Sequence, residues 1–517
     1  MNSRRLINLI IAVVCLTMMS ACYSYDSDFV DGVNTGDCYI NLAISVNNGN
    51  QYSTRAGEQP ASGEDGDGRE AGYVRENTVA GITLILYQDA AGINTSSDPT
   101  LDLVRYFPVT KVGSSQSQGT SYDAGANHTN HPSQVEAKYT TGPQLIGKRG
   151  MTSIDFTKTY HAIVIANYDM TSSLTEGTSK LSDVRDATLT TIYSGDYTKT
   201  ANLFTNFIMS SEEDNTLNFA ETGVMSEDDT GDKIYSFDDD THPLVIERMA
   251  ARIDFWSKGA SYQTKNGDGE GSGTYDTPGY VYRPWKTDDT TTPTSSDRFV
   301  LTSITPFNLN NGSEYLLKRT NDAAKYLVSE TGSNYVIDPT TSTKTGTATP
   351  STFVNALSGI AELTDLSSNT YSHTIAAMHG LTSASSTIDG KENIVICYPM
   401  ENTLPDESPL YYYATGIVIE GDYYTDDDVS KKEHRVYFGY IRHQGESDEA
   451  YDALLPSELD TSVKTSSSNP MNFGIVRNNI YRIYIDKVLE KTPEGPRLRI
   501  KIREAKWRHV DNPTIYI

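Results

Sequence analysis

Between Asp37 and Asn47 apolar and polar residues alternate without a break. Cys38, Ile40, Leu42, Ile44 and Val46 point one way, and Tyr39, Asn41, Ala43 and Ser45 the other. A period of two is the signature of a strand with one buried face, because successive side chains leave a pleated backbone on opposite sides. The same kind of run recurs at Ala80–Tyr87, Leu101–Phe107, Tyr160–Asn167, Leu203–Ser210, Lys233–Phe237, Arg298–Asn308, Asn393–Pro399, Tyr411–Tyr424, His434–Ile441, Tyr481–Leu489 and Arg497–Arg503. Leu244–Trp256 reads as two strands or one bent one. Lys180–Leu189 is a short helix candidate, with Ser182 as N-cap and Asp183 in the first turn. Polar Gly/Ser/Thr-rich stretches at 48–76, 113–142, 258–296 and 340–352 separate the runs. Many short strands between turn-rich loops predict an all-β chain with minor α, built as two tandem β-sandwiches.

Composition agrees. Tyrosine, at 34 residues against 13 Phe and 3 Trp, suits strands that are dry on one face and wet on the other. With 68 acidic against 42 basic residues the formal charge is −26. That balance argues against binding nucleic acid or anionic lipid, which would require clustered Lys/Arg.

The first residues are a targeting segment. Arg4 and Arg5 precede an apolar stretch, Leu6–Met19, of fourteen residues. This is shorter than the roughly 20 needed to cross a bilayer. Met19-Ser20-Ala21-Cys22 follows and resembles a bacterial lipobox, so 1–21 is expected to be a lipoprotein signal peptide and Cys22 the lipidated residue. Cys15 would leave with the signal. Cys38 and Cys397, each in a β-type run, remain as buried free thiols or as one disulfide.

Catalytic motifs are absent or incomplete. Asp229-Thr230-Gly231 has no second copy, and acid proteolysis needs two such carboxylates. The calcium-loop look-alikes at 64–70 and 266–271 lack essential ligands, Arg69 standing at position five of one and Thr277 at position twelve of the other. Nine scattered histidines form no zinc pattern, although His128 and His131 lie close in sequence. No enzyme activity, metal or cofactor is expected, apart from a covalent diacylglycerol and acyl lipid on Cys22.

Several segments together resemble a family. Phe207–Ser210 (FIMS), Val245–Ile253 (VIERMAARI), Thr302–Asn308 (TSITPFN), Tyr398–Asn402 (YPMEN), Thr415–Tyr423 (TGIVIEGDY) and Asn472–Tyr481 (NFGIVRNNIY) follow in the order found in FimA/Mfa-type fimbrillins. These are the subunits of type V pili in the Bacteroides–Porphyromonas group. Asn479 replaces the His of the last motif.

The resemblance implies that the two tandem β-sandwiches are of transthyretin-like, Greek-key type, and it implies a mechanism. A lipidated precursor keeps its first strand in a groove of the N-terminal sandwich, and an Arg-specific protease cuts behind that strand. The C-terminal strand of a neighbouring subunit then replaces it. On this reading Cys38, Ile40, Leu42, Ile44 and Val46 face the groove, and cleavage falls between Arg55 and Ala56, with Arg69 and Arg75 as competing sites. Residues 22–55 form the removable leader, 56–240 the N-terminal sandwich and 241–517 the C-terminal one. The donor is expected near the C-terminus, where Trp507, Ile515 and Ile517 share a face with His509. Asp511 and Pro513 interrupt that face, and proline also removes a ladder donor. This leaves either a short donor at 512–517 or a subunit at a terminal or accessory position. Expected partners are neighbouring fimbrial subunits, an Arg-specific protease and, before maturation, the outer membrane through the lipid. Nucleic acid is not expected. The expected location is a cell-surface fimbrium, supporting adhesion. The alternative is a monomeric surface glycan-binding lipoprotein that stacks sugars on Trp256, Trp285 and Tyr411–Tyr413.

Overall fold

A computed structural model describes residues 37–46, 69–70 and part of 76–507. Within 76–507 it omits 89–97, 112–137, 149–151, 153, 195–204, 212, 214, 220–223, 228–231, 238–243, 265–276, 287–292, 294, 322–334, 380–384, 389–390, 444–449, 468–471 and 493–494. The chain is all-β with short helical turns.

In the first half, the fully buried strand Gly81–Tyr87 lies between Leu101–Pro108 and Thr159–Ala166, antiparallel to both. The sheet continues through Met209–Ser211 to Leu244–Arg248. A second group contains Val224–Glu227, Lys233–Phe237 and Gln144–Lys148. The first strand, Asp37–Val46, belongs to both groups and joins them. The side chains of the two groups share one core, which includes Ile40, Leu42, Ile85, Ile163, Phe219 and Ile246.

The second half is a sandwich. One sheet runs Ser385–Ile388, Lys391–Cys397, Arg252–Trp256, Asn479–Thr492, Gly495–Trp507. The other runs Ser261–Gln263, Gly279–Tyr282, Arg298–Phe307, Gly416–Tyr424, Lys432–Tyr440. Phe255, Ile394 and Ile483 from the first sheet meet Phe299, Ile419 and Tyr437 from the second. The sheets approach so closely that a Cβ on Gly439 would lie 2.4 Å from Ile500 Cδ1.

The two cores meet between Ala250 and Ala251. Leu244–Arg248 pairs in the first sheet and Arg252–Trp256 in the second, so one apolar run supplies the last strand of one unit and a central strand of the next. Three local expectations differ. The helix Leu181–Arg185 is capped by Lys180, whose N–H donates to Asp183, while Ser182 instead donates to Asp98. Leu410–Tyr413 is a helical turn, and its strand begins only at Gly416. Lys138–Thr140, inside the polar stretch read as loop, is a strand because the first strand supplies its partner.

Candidate functional site: the first-strand groove and the joint beneath it

The first strand is laddered along both edges. Cys38–Leu42 runs parallel to Lys233–Phe237, and Asp37–Ile40 antiparallel to Gln144–Lys148. Farther on, Ile44–Val46 runs parallel to Leu244–Ile246, and Ala43–Ser45 antiparallel to Lys138–Thr140. Side chains reinforce the ladder. Asn41 Nδ2 donates to Ser236 Oγ at 3.1 Å and its Oδ1 accepts from Thr140 Oγ1 at 2.9 Å. The Leu42 N–H donates to Thr141 Oγ1 at 3.0 Å, and the Thr141 N–H returns to the Leu42 carbonyl at 3.1 Å. Opposite Cys38, Gly147 has φ +145° at a register shift, and a Cβ there would lie 2.7 Å from Thr152 Cβ.

Cys38, Ile40, Leu42 and Ile44 are fully buried, while Tyr39 and Asn41 are half-buried. The Val46 backbone pairs with Ile246, and its side chain lies outside those described. Burying each apolar side chain contributes about 1.5–3 kcal/mol. The strand therefore fills the middle of the first core, between edges of which one is parallel and the other antiparallel to it.

A polar joint lies next to this groove. Tyr139, opposite Ile44, donates from its hydroxyl to the Asn77 carbonyl at 2.6 Å. Arg248 donates to Asn77 Oδ1, to the Glu76 carbonyl at 3.0 Å and to Asn478 Oδ1 at 3.2 Å. Glu76, fully buried, accepts from Arg252 at 3.1 Å and from the Tyr398 hydroxyl. Arg252 also holds Asp254 in a two-pronged pair at 2.9 and 2.8 Å. Asn393 and Arg482 close the network around Asp254. Burial pulls the Arg248 guanidinium down to about 10 against the pull of Glu76, which leaves it charged at neutral pH. Beyond it, Arg477 is paired with Glu401 at 2.8 Å and Glu314 at 3.2 Å, all three buried. Burial pushes the Glu314 carboxyl well up.

The family-like segments converge here. Arg248 and Arg252 come from VIERMAARI, Tyr398 and Glu401 from YPMEN, and Arg477 and Asn478 from NFGIVRNNIY. Asn308, which ends TSITPFN, has φ +49° and ties Leu357 N–H to the carbonyls of Tyr411 and Ala414. Glu76 and Asn77 had no signal in the sequence beyond their place where a polar stretch meets an apolar strand.

Cys22, Arg55, Ala56, Ile515 and Ile517 lie outside the described residues, as do Asp229–Gly231, His128, His131 and most of both calcium-loop look-alikes. The Trp507 backbone ends the last strand, parallel to Glu70. Cys38 lies in the first core and Cys397 in the second, and they do not form a disulfide with each other. Among the described residues no group of three or more His, Cys, Asp or Glu is placed to hold a metal. Trp256 is 1% exposed and packs edge-on against Tyr484, so it offers no face to a sugar. Tyr413 is likewise buried.

No family model matches the chain, and no curated protein matches it in sequence. Similarity is found among solved structures. A proposed cell adhesion protein of Parabacteroides distasonis is 12% identical with a TM-score of 0.40, covering 94% of this chain and 100% of its own. The tip fimbrial protein Mfa3 from Porphyromonas gingivalis, with C-terminal truncation, is 11% identical with a TM-score of 0.38, covering 91% and 100%. A fimbrilin (FimA) from Porphyromonas gingivalis is 12% identical with a TM-score of 0.35, covering 93% and 100%. The chain is thus similar, at low identity and low TM-score, to fimbrial and cell adhesion proteins of Bacteroidales.

Proposed function

We propose that this chain is a structural subunit of a cell-surface fimbria, exported as a lipoprotein on Cys22 and assembled by protease-triggered strand exchange. The observation that carries this is the first strand. It is the chain's most N-terminal described element, its apolar face is fully buried, and it is laddered on both sides. A segment held in that way is covalently dispensable once the chain behind it is cut, because ladder bonds and pockets rather than the connection hold it. Its departure leaves two open edges and an apolar slot, which strongly favours capture of an equivalent strand from another subunit.

The cut falls between Arg55 and Ala56. Arg75 is a poor substrate, because the next two residues, Glu76 and Asn77, are buried and hydrogen-bonded in the joint. A protease needs those residues extended and accessible, which here requires local unfolding. Arg69 lies in a short strand against Lys506. The joint stays with the mature chain and keeps the two units aligned while the groove empties and refills.

Limited trypsin digestion of the folded precursor tests this. The expected products begin at Ala56, release residues 22–55 and form SDS-resistant ladders. A product that begins at Glu76, or a chain cut after Arg55 that stays monomeric, overturns the reading.

A further inference from the structure

Outside the groove and its joint, one cluster holds chemistry that a structural role leaves unused. Lys344, fully buried, follows a turn at Thr341–Thr343. Its Nζ is 2.5 Å from Asp338 Oδ2, 2.8 Å from Asn402 Oδ1 and 2.8 Å from the Thr403 carbonyl. Asp338 and Asn402 are also buried. Asn402 is clamped in one orientation, its Nδ2 donating to the Tyr413 carbonyl at 2.7 Å and to Thr415 Oγ1 at 2.8 Å. An amine, a carboxamide and a carboxylate thus meet in a dry site, with the amine touching the carboxamide oxygen.

We propose that Lys344 and Asn402 become joined by an intramolecular isopeptide bond, with Asp338 as the proton carrier. Lys344 Nζ, once its proton has passed to Asp338, attacks Asn402 Cγ. The Nζ–Cγ bond forms and the Cγ–Nδ2 bond breaks. The ammonium gives up two protons in all: one reaches Nδ2, which leaves as neutral ammonia beside the Thr415 hydroxyl, and the other stays on Asp338, which ends as the neutral acid. No oxidant or other reactant is required.

Three features favour the step. Burial lowers the Lys344 ammonium, which is how a lysine becomes a nucleophile. Asp338, despite its own burial, is held below the usual carboxylate range by Lys344, Thr340 and Thr403 and is therefore available as a base. A buried ion pair is costly to maintain, and the step neutralises both of its charges, the amine as an amide and Asp338 as the acid. The fixed contact also supplies the proximity that an unassisted amide exchange lacks. The bond would close a loop between residues 58 apart and tie the Thr341–Thr343 turn to Asn402, whose backbone pairs with Ile475 near Arg477.

The test is a tryptic digest of the denatured full chain, read by tandem mass spectrometry. The expected result is a branched peptide joining Lys344 to Asn402, lighter than its two linear parts by one ammonia, with no cleavage after Lys344. Linear peptides, one ending at Lys344 and one carrying Asn402 or its succinimide, overturn the proposal. The Asp338→Asn variant, where circular dichroism shows it folded, is expected to lose the branched peptide. A folded Asp338→Asn chain that is fully linked removes Asp338 from the mechanism. The readout is the mass of a single chain, so it is independent of whether subunits assemble.

Discussion

Replacing Leu42 by alanine probes how firmly the first strand is held. Leu42 sits mid-strand and fully buried, and its N–H and carbonyl are both bonded to Thr141. Alanine keeps those backbone bonds and removes only packing. Buried Leu→Ala changes cost about 2–5 kcal/mol, the spread reflecting how far the cavity collapses. Urea unfolding of the uncut precursor should show a loss in that range with an unchanged m-value. After cleavage behind the strand, the same loss weakens its retention by roughly 30-fold to a few thousand-fold. Released leader, followed by chromatography, should therefore appear sooner from the variant than from the parent. Tyr39→Ala, on the half-buried face, is the control and should cost less. A Leu42→Ala change within about 0.5 kcal/mol of the parent, as for an ordinary surface site, refutes a groove-filling strand.

Other outcomes follow from the joint and from the sheet that holds Lys432–Tyr440. Glu76→Gln removes the charge that pairs with Arg252 beside Asp254 and weakens the hold on Tyr398, so it should destabilise by about 3–5 kcal/mol, the usual cost of unpairing a buried ion; a neutral result in denaturant titration contradicts a structural role for the joint. His434 is raised to about 9 by its bonds to Asp422 and Glu420. Its folded value exceeds the ordinary 6.5, so its contribution is complete below pH 6.5 and fades as pH rises through 9. His434→Gln should flatten that fall in a pH series of melting curves, and an unchanged slope contradicts the assignment. Cys38 and Cys397 should resist a thiol reagent in the native precursor. Cys38 should become reactive once the cut strand departs, and rapid reaction of Cys38 before cleavage contradicts its seating.

The sequence made the first strand legible because a half-buried strand writes its burial into parity: Ile40, Leu42 and Ile44 are buried, with Tyr39 and Asn41 between them at the margin. It did not make the groove wall legible. Lys138–Thr140 is polar and only three residues long, and its pairing comes from a partner about a hundred positions away. Arg248, Arg252, Tyr398 and Arg477 were legible only as parts of family-like segments, since nothing local says that they meet. Glu76 was illegible for the same reason: a lone carboxylate beside a polar stretch is ordinarily solvated, and only tertiary packing surrounds it with arginine and tyrosine. Tyr411–Tyr413 opens a β-type run because aromatic residues favour sheets, yet a helical turn that packs against Leu357 and Ile360 claims these residues.

Strand exchange requires that the first strand leave before subunits join. Asn41 and Ser236 are direct neighbours in the parallel ladder, their side chains 3.1 Å apart. Cysteines at both positions should form a disulfide that locks the strand in place. After cleavage behind the strand, the locked Asn41→Cys/Ser236→Cys protein should remain monomeric, and adding reductant should start polymerisation at the rate of the unlocked protein. Polymers that form equally fast with the lock intact contradict strand exchange.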